Sequence, residues 1–458
     1  MFGRARRLEL GRQTTEQFMT DRSRLGAQRG ERSCRWKRRI AVAVEGRQAP
    51  KRLAFAALLG FLLCASASGQ STGEGPGVSL VTGISATHDD NLYKLPPDIS
   101  PTELGASNPS RGDTFFMPFF NLDGRTYVGE QRFDLAAGAN REVFRSHTDL
   151  DQTYYNEKAE WGWQSGKELS GDILESVQTS QTSFAYFQGS QLNVQTLRNL
   201  HASAEWRPRP DRHLAYSFDE GVGDNSSGPL QYNNFRTAID RVEVGADSGL
   251  GHEITLGVTD THTDYPNRVI VYYAPIDNSY MQRQVDLSTR YAYSTLTALT
   301  VSAGYARRYY ANVPDRDFSG PVGKVALTWQ PTDRTTLSLS GGRDLNSFDD
   351  AFRIYTVTTS AQVSAAYQAA SKILVTLGAD AYRMNYKGEP QNLLTFLYGP
   401  APPRYDTMWD YRIDLSWSLS DRWMFKFDST LARRTSTEAD FSFRDVLNVV
   451  TLQYRIGN

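Results

Sequence analysis

The sequence predicts an all-β protein: a transmembrane antiparallel up-and-down β-barrel of about 18 strands, with 16 as the alternative count. Three observations predict this fold. From about residue 78 to 455, apolar and polar side chains alternate in units of about ten to fourteen residues, short turns and longer loops alternate between the units, and a secretory leader precedes them. Because successive side chains of a strand point to opposite faces, the chain has one apolar and one polar face. Behind a leader, this pattern is typical of outer-membrane barrels.

The leader divides the chain into four predicted segments. Residues 1–50 are a basic extension expected to be disordered, for which an overlong reading frame upstream of the true start is the favoured explanation. Residues 51–67 are the signal peptide core and cleavage region, since the apolar run Leu53 to Cys64 is too short to span a bilayer and Ala65-Ser66-Ala67 follows it. Residues 68–77 form a periplasmic tail, and residues 78–458 form the barrel.

The net charge and the cysteine positions limit which kinds of partner and cofactor are expected. Residues 1–67 hold 15 of the 50 basic and 5 of the 51 acidic residues, so the exported part has 35 basic and 46 acidic residues, a net charge of −11. An acidic chain argues against a nucleic-acid partner. Both cysteines, Cys34 and Cys64, lie in the presequence, so neither a disulfide framework nor a cysteine-based metal site is expected. No cofactor and no metal are predicted.

Strands and connections can be placed along the chain from the alternation and from turn residues. The predicted strands start near residues 78, 114, 131, 153, 167, 194, 213, 233, 253, 281, 298, 321, 335, 355, 372, 407, 423 and 443. Short connections rich in Gly, Pro, Asp or Ser fall at 165–167, 208–212, 248–251, 331–334, 369–372 and 420–422, and long ones at 92–113, 182–193, 263–280 and 386–406. An even number of strands puts both termini at the end with the short turns, the expected periplasmic side. The second to fifth strands have the weakest pattern, and merging them would leave 16.

The polar face predicts a wide aqueous lumen, as barrels of 16 to 18 strands allow. From Trp409 onward, one face carries large apolar residues and the other is charged. Tryptophans end several apolar faces, as in an interfacial girdle, whereas a soluble sandwich would bury them in mid-strand. The residues predicted to line the lumen are Asp286, Arg290, Lys324, Asp410, Arg412, Asp414, Lys426 and Asp428.

The long loops are rich in aromatic residues. Those predicted as candidates for stacking on sugar rings are Phe184, Tyr186, Phe187, Tyr272, Tyr273, Phe396 and Tyr398. The favoured alternative is that such residues pack the loops over the barrel mouth as a plug, and the two roles are compatible.

Catalytic motifs are weak, and no enzyme is predicted. Residues 69–73 match G-x-S-x-G, but a nucleophile elbow needs a preceding strand and a following helix, and this match lies in the cleavage region. The six histidines are scattered. His262 with Asp264 near a loop base leaves a barrel-borne, polymer-modifying hydrolase as the alternative from another class of protein.

Several segments resemble a known family. They are His88-Asp89-Asp90-Asn91-Leu92, Asp317-Phe318-Ser319-Gly320, residues 327–332 (LTWQPT) and residues 336–344 (TLSLSGGRD). They are similar to the β-barrel porins encoded in bacterial exopolysaccharide biosynthesis operons. The resemblance spans most of the exported chain, is densest at residues 305–386, and transfers no catalytic residues. The chain departs from the aromatic C-terminal end common in such barrels, since Tyr454 is followed by Arg455-Ile456-Gly457-Asn458.

The resemblance implies a part in making or exporting a secreted polysaccharide, so the predicted function is a passive polar conduit in the outer membrane of a Gram-negative bacterium. A general diffusion porin is the alternative transporter, for which a constriction formed by residues 263–280 would argue. The expected partners are outer-membrane lipid, the polysaccharide, the barrel assembly machinery and periplasmic export components.

Overall fold

A computed structural model shows a single closed sheet of 18 antiparallel strands. The structure describes residues 75–185, 189–249, 251–268, 277–347, 353–388 and 402–457. The strands are β1 Gly77–Asp89, β2 Asp113–Val128, β3 Gln131–Phe144, β4 Gln152–Ser165, β5 Leu169–Gln181, β6 Val194–Arg209, β7 Arg212–Asn225, β8 Phe235–Asp247, β9 Glu253–Asp264, β10 Tyr280–Ser294, β11 Thr297–Tyr310, β12 Phe318–Thr332, β13 Thr335–Ser347, β14 Tyr355–Ala370, β15 Ile373–Lys387, β16 Tyr405–Ser418, β17 Trp423–Ser436 and β18 Phe443–Gly457.

Each strand pairs with the next along the chain, and β1 pairs with β18 to close the barrel. In this last pair Ser79 lies opposite Gly457 and Asp89 lies opposite Leu447. Closure leaves no unpaired strand edge, which a barrel in lipid requires. The predicted count of 18 is confirmed, and the second to fifth strands are separate elements. The predicted starts agree with the structure to within three residues.

Short and long connections alternate strictly, as predicted. The short ones are turns such as residues 129–130, 210–211 and 371–372, and they all lie at one end of the barrel. In the turn at Ser165-Gly166-Lys167, Gly166 has φ +66°, a conformation that favours glycine. We call this end the short-turn end and the other the long-loop end.

The connections at the long-loop end contain five short 3-10 helices in the described residues, at Pro101–Leu104, Thr148–Leu150, Gly228–Asn233, Pro314–Arg316 and Ala439–Phe441. No described helix is long and apolar enough to cross a membrane.

The two faces of the sheet differ sharply in exposure. In β10, Leu287 is 50% exposed whereas the neighbouring Asp286 is 7% exposed. The same alternation runs around the ring, so that large apolar side chains such as Ile413 and Trp417 are exposed. A closed sheet shields its inner face, so the apolar side chains face outward and the polar ones face inward.

Two clusters hold most of the buried apolar residues of the described chain, and both lie at the long-loop end. The first contains Leu92, Tyr93, Leu95, Ala106, Phe144, Leu150 and Phe184. The second contains Tyr310, Ile354, Tyr355 and Val357. In both clusters the apolar packing fastens loops to strand ends.

Candidate functional site

The inner wall is largely polar, apart from Phe115, Met117 and Phe119 on β2, and the strand register places all eight predicted lumen residues on it. Asp410, Arg412 and Asp414 alternate along β16, and Asp414 lies opposite Asp428 of β17. Lys426 lies opposite Ser416, on the same face. In the other half of the barrel, Asp286, Arg290 and Lys324 lie on the same inner face by the register that runs through β10, β11 and β12.

Opposite charges on the inner wall bind each other across strands. Arg241 of β8 reaches over β9 and donates two hydrogen bonds to Asp286 of β10, at 3.0 and 3.1 Å. Gly257 lies under this guanidinium, and a Cβ atom there would come within 2.4 Å of Arg241 Nη2. The glycine therefore makes room for an ion pair that spans three strands.

A second pair lies six to seven strands further around the ring, on β15 and β16. Arg412 Nη2 donates to Asp380 Oδ2 at 2.7 Å, and Asp410 lies directly opposite Asp380 in the register. Arg132 bridges Asp134 and Glu160 in β3 and β4. Because paired charges cancel at a distance, the wall offers many polar groups without a strong field of one sign.

The long-loop end carries a cap built from two connections. We define the cap as residues 90–112, between β1 and β2, together with residues 182–185 and 189–193, between β5 and β6. Tyr93 and Phe184 bring the two connections together, with ring centroids 4.9 Å apart. Ser190 Oγ also donates to the Leu104 carbonyl at 2.9 Å. The first connection thus extends over the mouth to the second, four strands away.

Polar contacts hold the first cap connection to the barrel wall. Lys94 Nζ lies 2.8 Å from Asp89 Oδ2 and 2.5 Å from Asp445 Oδ2. His147 is fully buried, and its Nδ1 atom is 2.9 Å from Asp113 Oδ2. Burial raises the pKa of Tyr93 to about 12, with the charges of Asp149 and Asp113 adding to the effect.

The second cap connection reaches the far side of the barrel. Arg434 of β17 donates from Nη1 to the Ala185 carbonyl at 2.7 Å. Arg434 belongs to a fully buried group in which Asp406 accepts hydrogen bonds from Arg434, Arg404 and the Tyr386 hydroxyl. β5 and β17 lie six strands apart around the ring, so this contact crosses the mouth. The cap is therefore anchored on two sides of the opening.

The predicted aromatic residues of the loops fall into two sets. Phe184 is described, is 5% exposed and packs in the first cluster, which is the loop-packing role. Tyr186, Phe187, Tyr272, Tyr273, Phe396 and Tyr398 lie outside the described residues. Within residues 263–280, Arg268 binds Asn233 and the Tyr232 carbonyl of the neighbouring connection. The central part of this predicted constriction, residues 269–276, also lies outside the described residues.

His262 and Asp264, the pair that suggested catalysis, lie on the outer face near the long-loop end. Their Nε2 and Oδ1 atoms are 3.0 Å apart, and both side chains are about half exposed. Among the described residues, no serine hydrogen bond to His262 is present, so this pair lacks the triad of a serine hydrolase.

Two groups of described residues have spacing suited to a cation, and each already holds a basic side chain. His213, Asp247 and Glu253 form one group, in which Arg207 donates to Asp247 at 2.7 Å. Asp89, Asp90 and Asp445 form the other, where Lys94 binds two of the carboxylates. An ammonium or guanidinium group in this position provides the charge that a metal would otherwise supply.

The buried group around Asp406 was not predicted from the sequence. Asp406 and Arg434 follow the same alternation as Asp410 and Lys426. Extending that alternation to the ends of β16 and β17 would have placed both on the inner face. Nothing in the alternation indicates Arg404, because it precedes the strand.

Part of the chain matches the model of a known protein family. Residues 282–456 match the family model described as "Putative beta-barrel porin 2". The resemblance to a β-barrel porin family is confirmed over these residues. No curated protein matches the chain.

The porin-like chain is also similar in fold to several solved outer-membrane barrels. OccK9 (OpdG) of Pseudomonas aeruginosa aligns with TM-score 0.47 and 9% identity over 85% of this chain and 100% of that one. OccK2 (OpdF) of the same species, solved with glucuronate, aligns with TM-score 0.46 and 10% identity over 85% and 100%. FauA of Bordetella pertussis, the alcaligin receptor, aligns with TM-score 0.42 and 12% identity over 85% and 77%.

Proposed function

We propose that this chain is an outer-membrane porin-like barrel that takes part in exopolysaccharide export as a passive polar conduit. The observation that carries the proposal is the inner wall: a closed ring of 18 strands presents a largely polar surface on which charges of both signs form pairs. The family match over residues 282–456 supports a porin-like role. The resemblance to proteins of exopolysaccharide operons supports the polymer.

The mechanism follows from the chemistry of the wall. A sugar chain entering the barrel loses hydrogen bonds to water and needs hydroxyl, amide and charged groups in exchange. The pairs Arg241–Asp286 and Arg412–Asp380 supply donors and acceptors whose charges largely cancel. A neutral or weakly charged polymer therefore suits this wall better than a strongly acidic one, which would favour a basic lumen.

The orientation in the membrane is part of the proposal. Outer-membrane barrels have short periplasmic turns and longer extracellular loops, so the short-turn end and both strand termini, Gly77 and Gly457, would face the periplasm. Periplasmic export components and the barrel assembly machinery would meet that end. The cap would then lie at the cell surface, where its release would let the polymer leave the barrel.

The test combines bilayer recording with secretion. The purified barrel in a planar bilayer should conduct small ions, and a neutral oligosaccharide added on the short-turn side should block the current more than an acidic one of equal length. Deleting the gene in the native host should abolish secreted polysaccharide, and the wild-type gene should restore it. Unchanged secretion would overturn the export role, and a stronger block by the acidic polymer would overturn the account of the wall.

A general diffusion porin is the second candidate, and the cap favours it. Loops that are tied across the mouth by Arg434 and Ala185 narrow the opening, as a size-selective channel requires. This alternative predicts conductance with small-solute uptake and no change in secreted polymer on deletion.

A further inference from the structure

The charged side chains of the outer face gather near the long loops, and on part of the ring they are all basic. This part covers β10 to β18 together with β1 to β3, in the half of each strand nearer the long loops. By the strand register, its outward-facing charged residues are Arg141, Arg283, Arg307, Arg343, Arg383, Lys387, Arg433 and Arg444. We call this set the basic arc.

Three arginines of the arc already have a contact. Arg283 is bound to Asp260, with Nε 2.7 Å from Oδ1. Arg307 lies over the Tyr309 ring at 4.5 Å, and Arg343 donates to the Pro321 carbonyl. These contacts account for the positions of three members of the basic arc.

Arg433 and Arg444 differ, because they lie directly opposite each other in β17 and β18. Both are exposed, and within the described part of the chain neither has an ion pair or a side-chain hydrogen bond. Like charges that face each other across two strands are destabilising. An anion placed between the two guanidinium groups would turn this repulsion into attraction.

The two arginines border a cleft of about 350 Å³ on the outer wall, lined also by Trp409, Tyr411, Leu431 and Thr435. The Trp409 and Tyr411 rings are parallel, with an interplanar angle of 8° and both close to half exposed. Amphipathic rings of this kind are enriched where membrane meets water. Towards the middle of the barrel the wall becomes apolar, with Ile413 51% exposed.

We infer that this cleft binds the phosphate of an outer-leaflet glycolipid, an acylated and phosphorylated saccharide. Arg433 and Arg444 share the phosphate through charge-assisted hydrogen bonds, which a planar guanidinium can make in pairs. The acyl chains lie on the apolar wall, and the sugar lies against Trp409. The inference rests on the proposed function in one respect, since it places the long-loop end in the outer leaflet.

The test uses the barrel without its leader, purified in a zwitterionic detergent. The barrel is titrated with a bisphosphorylated, six-chain lipid A, and native mass spectrometry measures the binding of the lipid. Its variant is Arg433→Gln with Arg444→Gln. Affinity should fall about tenfold or more, the loss expected when a hydrogen bond to a charged group is removed. The matched control is Arg283→Gln, which removes an arginine of the same arc that Asp260 already binds, and its affinity should stay within about twofold of wild type. Gel mobility with and without heating checks that each variant is folded.

Several outcomes would overturn the inference. They are equal binding by the double variant, equal binding of lipid A from which both phosphates have been removed, and displacement of the lipid by millimolar inorganic phosphate, which would make free phosphate the ligand. Conductance of the double variant should equal that of wild type, because both residues lie outside the lumen. A barrel that binds the lipid but fails to conduct would defeat the proposed function and leave this site standing.

Discussion

The inner and outer faces of the same strands differ in how their charged side chains are arranged. Inside, acids and bases lie side by side and pair, as Arg241 with Asp286 and Arg412 with Asp380. Outside, the charges gather near the long loops: the basic arc carries only basic residues, whereas β4 to β9 carry mainly acids, together with Arg198, which pairs with Asp224, and Arg236. These outward acids are Glu157, Glu175, Glu220, Asp224, Asp240, Asp260 and Asp264.

The difference reflects what lies beyond each face. An interior that is partly shielded from bulk water makes an unpaired charge costly, so inner charges neutralise each other. The outer face near the long loops is exposed, so a charge there can stay unpaired at low cost, as Arg433 and Arg444 do, although Arg283 and Asp260 pair. Substitutions in the buried charged group, on the two faces of one strand and in the cap can test this difference one part at a time.

The largest effect is expected from Asp406→Ala, which removes the acid from the fully buried group that anchors the cap. Arg404 and Arg434 are left buried, and breaking such a group costs about 3–5 kcal/mol, reduced in part because Glu438 lies 3.7 Å from Arg404. Urea unfolding in liposomes measures the loss, and single-channel conductance should rise as the cap loosens.

Asp414→Ala is the control for this change, since it lies on the same strand and face but opposite another acid, Asp428. Its removal relieves a like-charge contact and should leave stability unchanged or slightly raised. A similar loss in both variants would show that the buried group contributes no more than any other acid of the wall.

An intermediate effect is expected when an arginine is placed on either face of one strand. Leu287→Arg puts a charge on the outer face in the middle of β10 and should cost about 2–4 kcal/mol, the range for a lipid-facing charge near the bilayer midplane. Ser288→Arg, its neighbour on the inner face, should stay within about 0.5 kcal/mol of wild type. Equal costs in the same unfolding assay would contradict the assignment of the two faces.

The smallest effect is expected for Tyr93→Phe in the cap. The Tyr93 hydroxyl is buried and has no hydrogen-bond partner among the described residues, so its removal should change the unfolding free energy by less than about 1 kcal/mol at neutral pH. Because the folded chain holds the proton up to about pH 12 and the unfolded chain releases it near pH 10, wild type should lose stability between these values.

The variant has no such group, so the difference in unfolding free energy between variant and wild type should grow in favour of the variant from about pH 10 to 12. Groups shared by the two proteins cancel in this difference. A difference that does not change over this range would mean that Tyr93 titrates normally and is open to water.

Much of the fold could be predicted because it depends on local alternation. Strand starts, the strict alternation of turns and loops, and the count of 18 all follow from side chains that point to opposite faces in turn. The prediction of the eight lumen residues used only this same alternation along each strand. The cap did not follow from it, since Tyr93, Phe184 and Arg434 come from distant parts of the chain and no local period links them.

What the sequence by itself determined, therefore, is which side chains face lipid and which face the interior, because neighbouring residues in a strand must diverge. Only the tertiary structure decided which inner charges meet, that loops from β1 and β5 cover the mouth, and that Arg433 faces Arg444. These depend on register and on the closure of the ring, which bring together residues from 11 positions apart, as in Arg433 and Arg444, to 249 apart, as in Ala185 and Arg434. The physical reason is that the register of the whole barrel sets which residues pair across strands. The direction of a side chain, in contrast, is set locally by two successive peptide bonds.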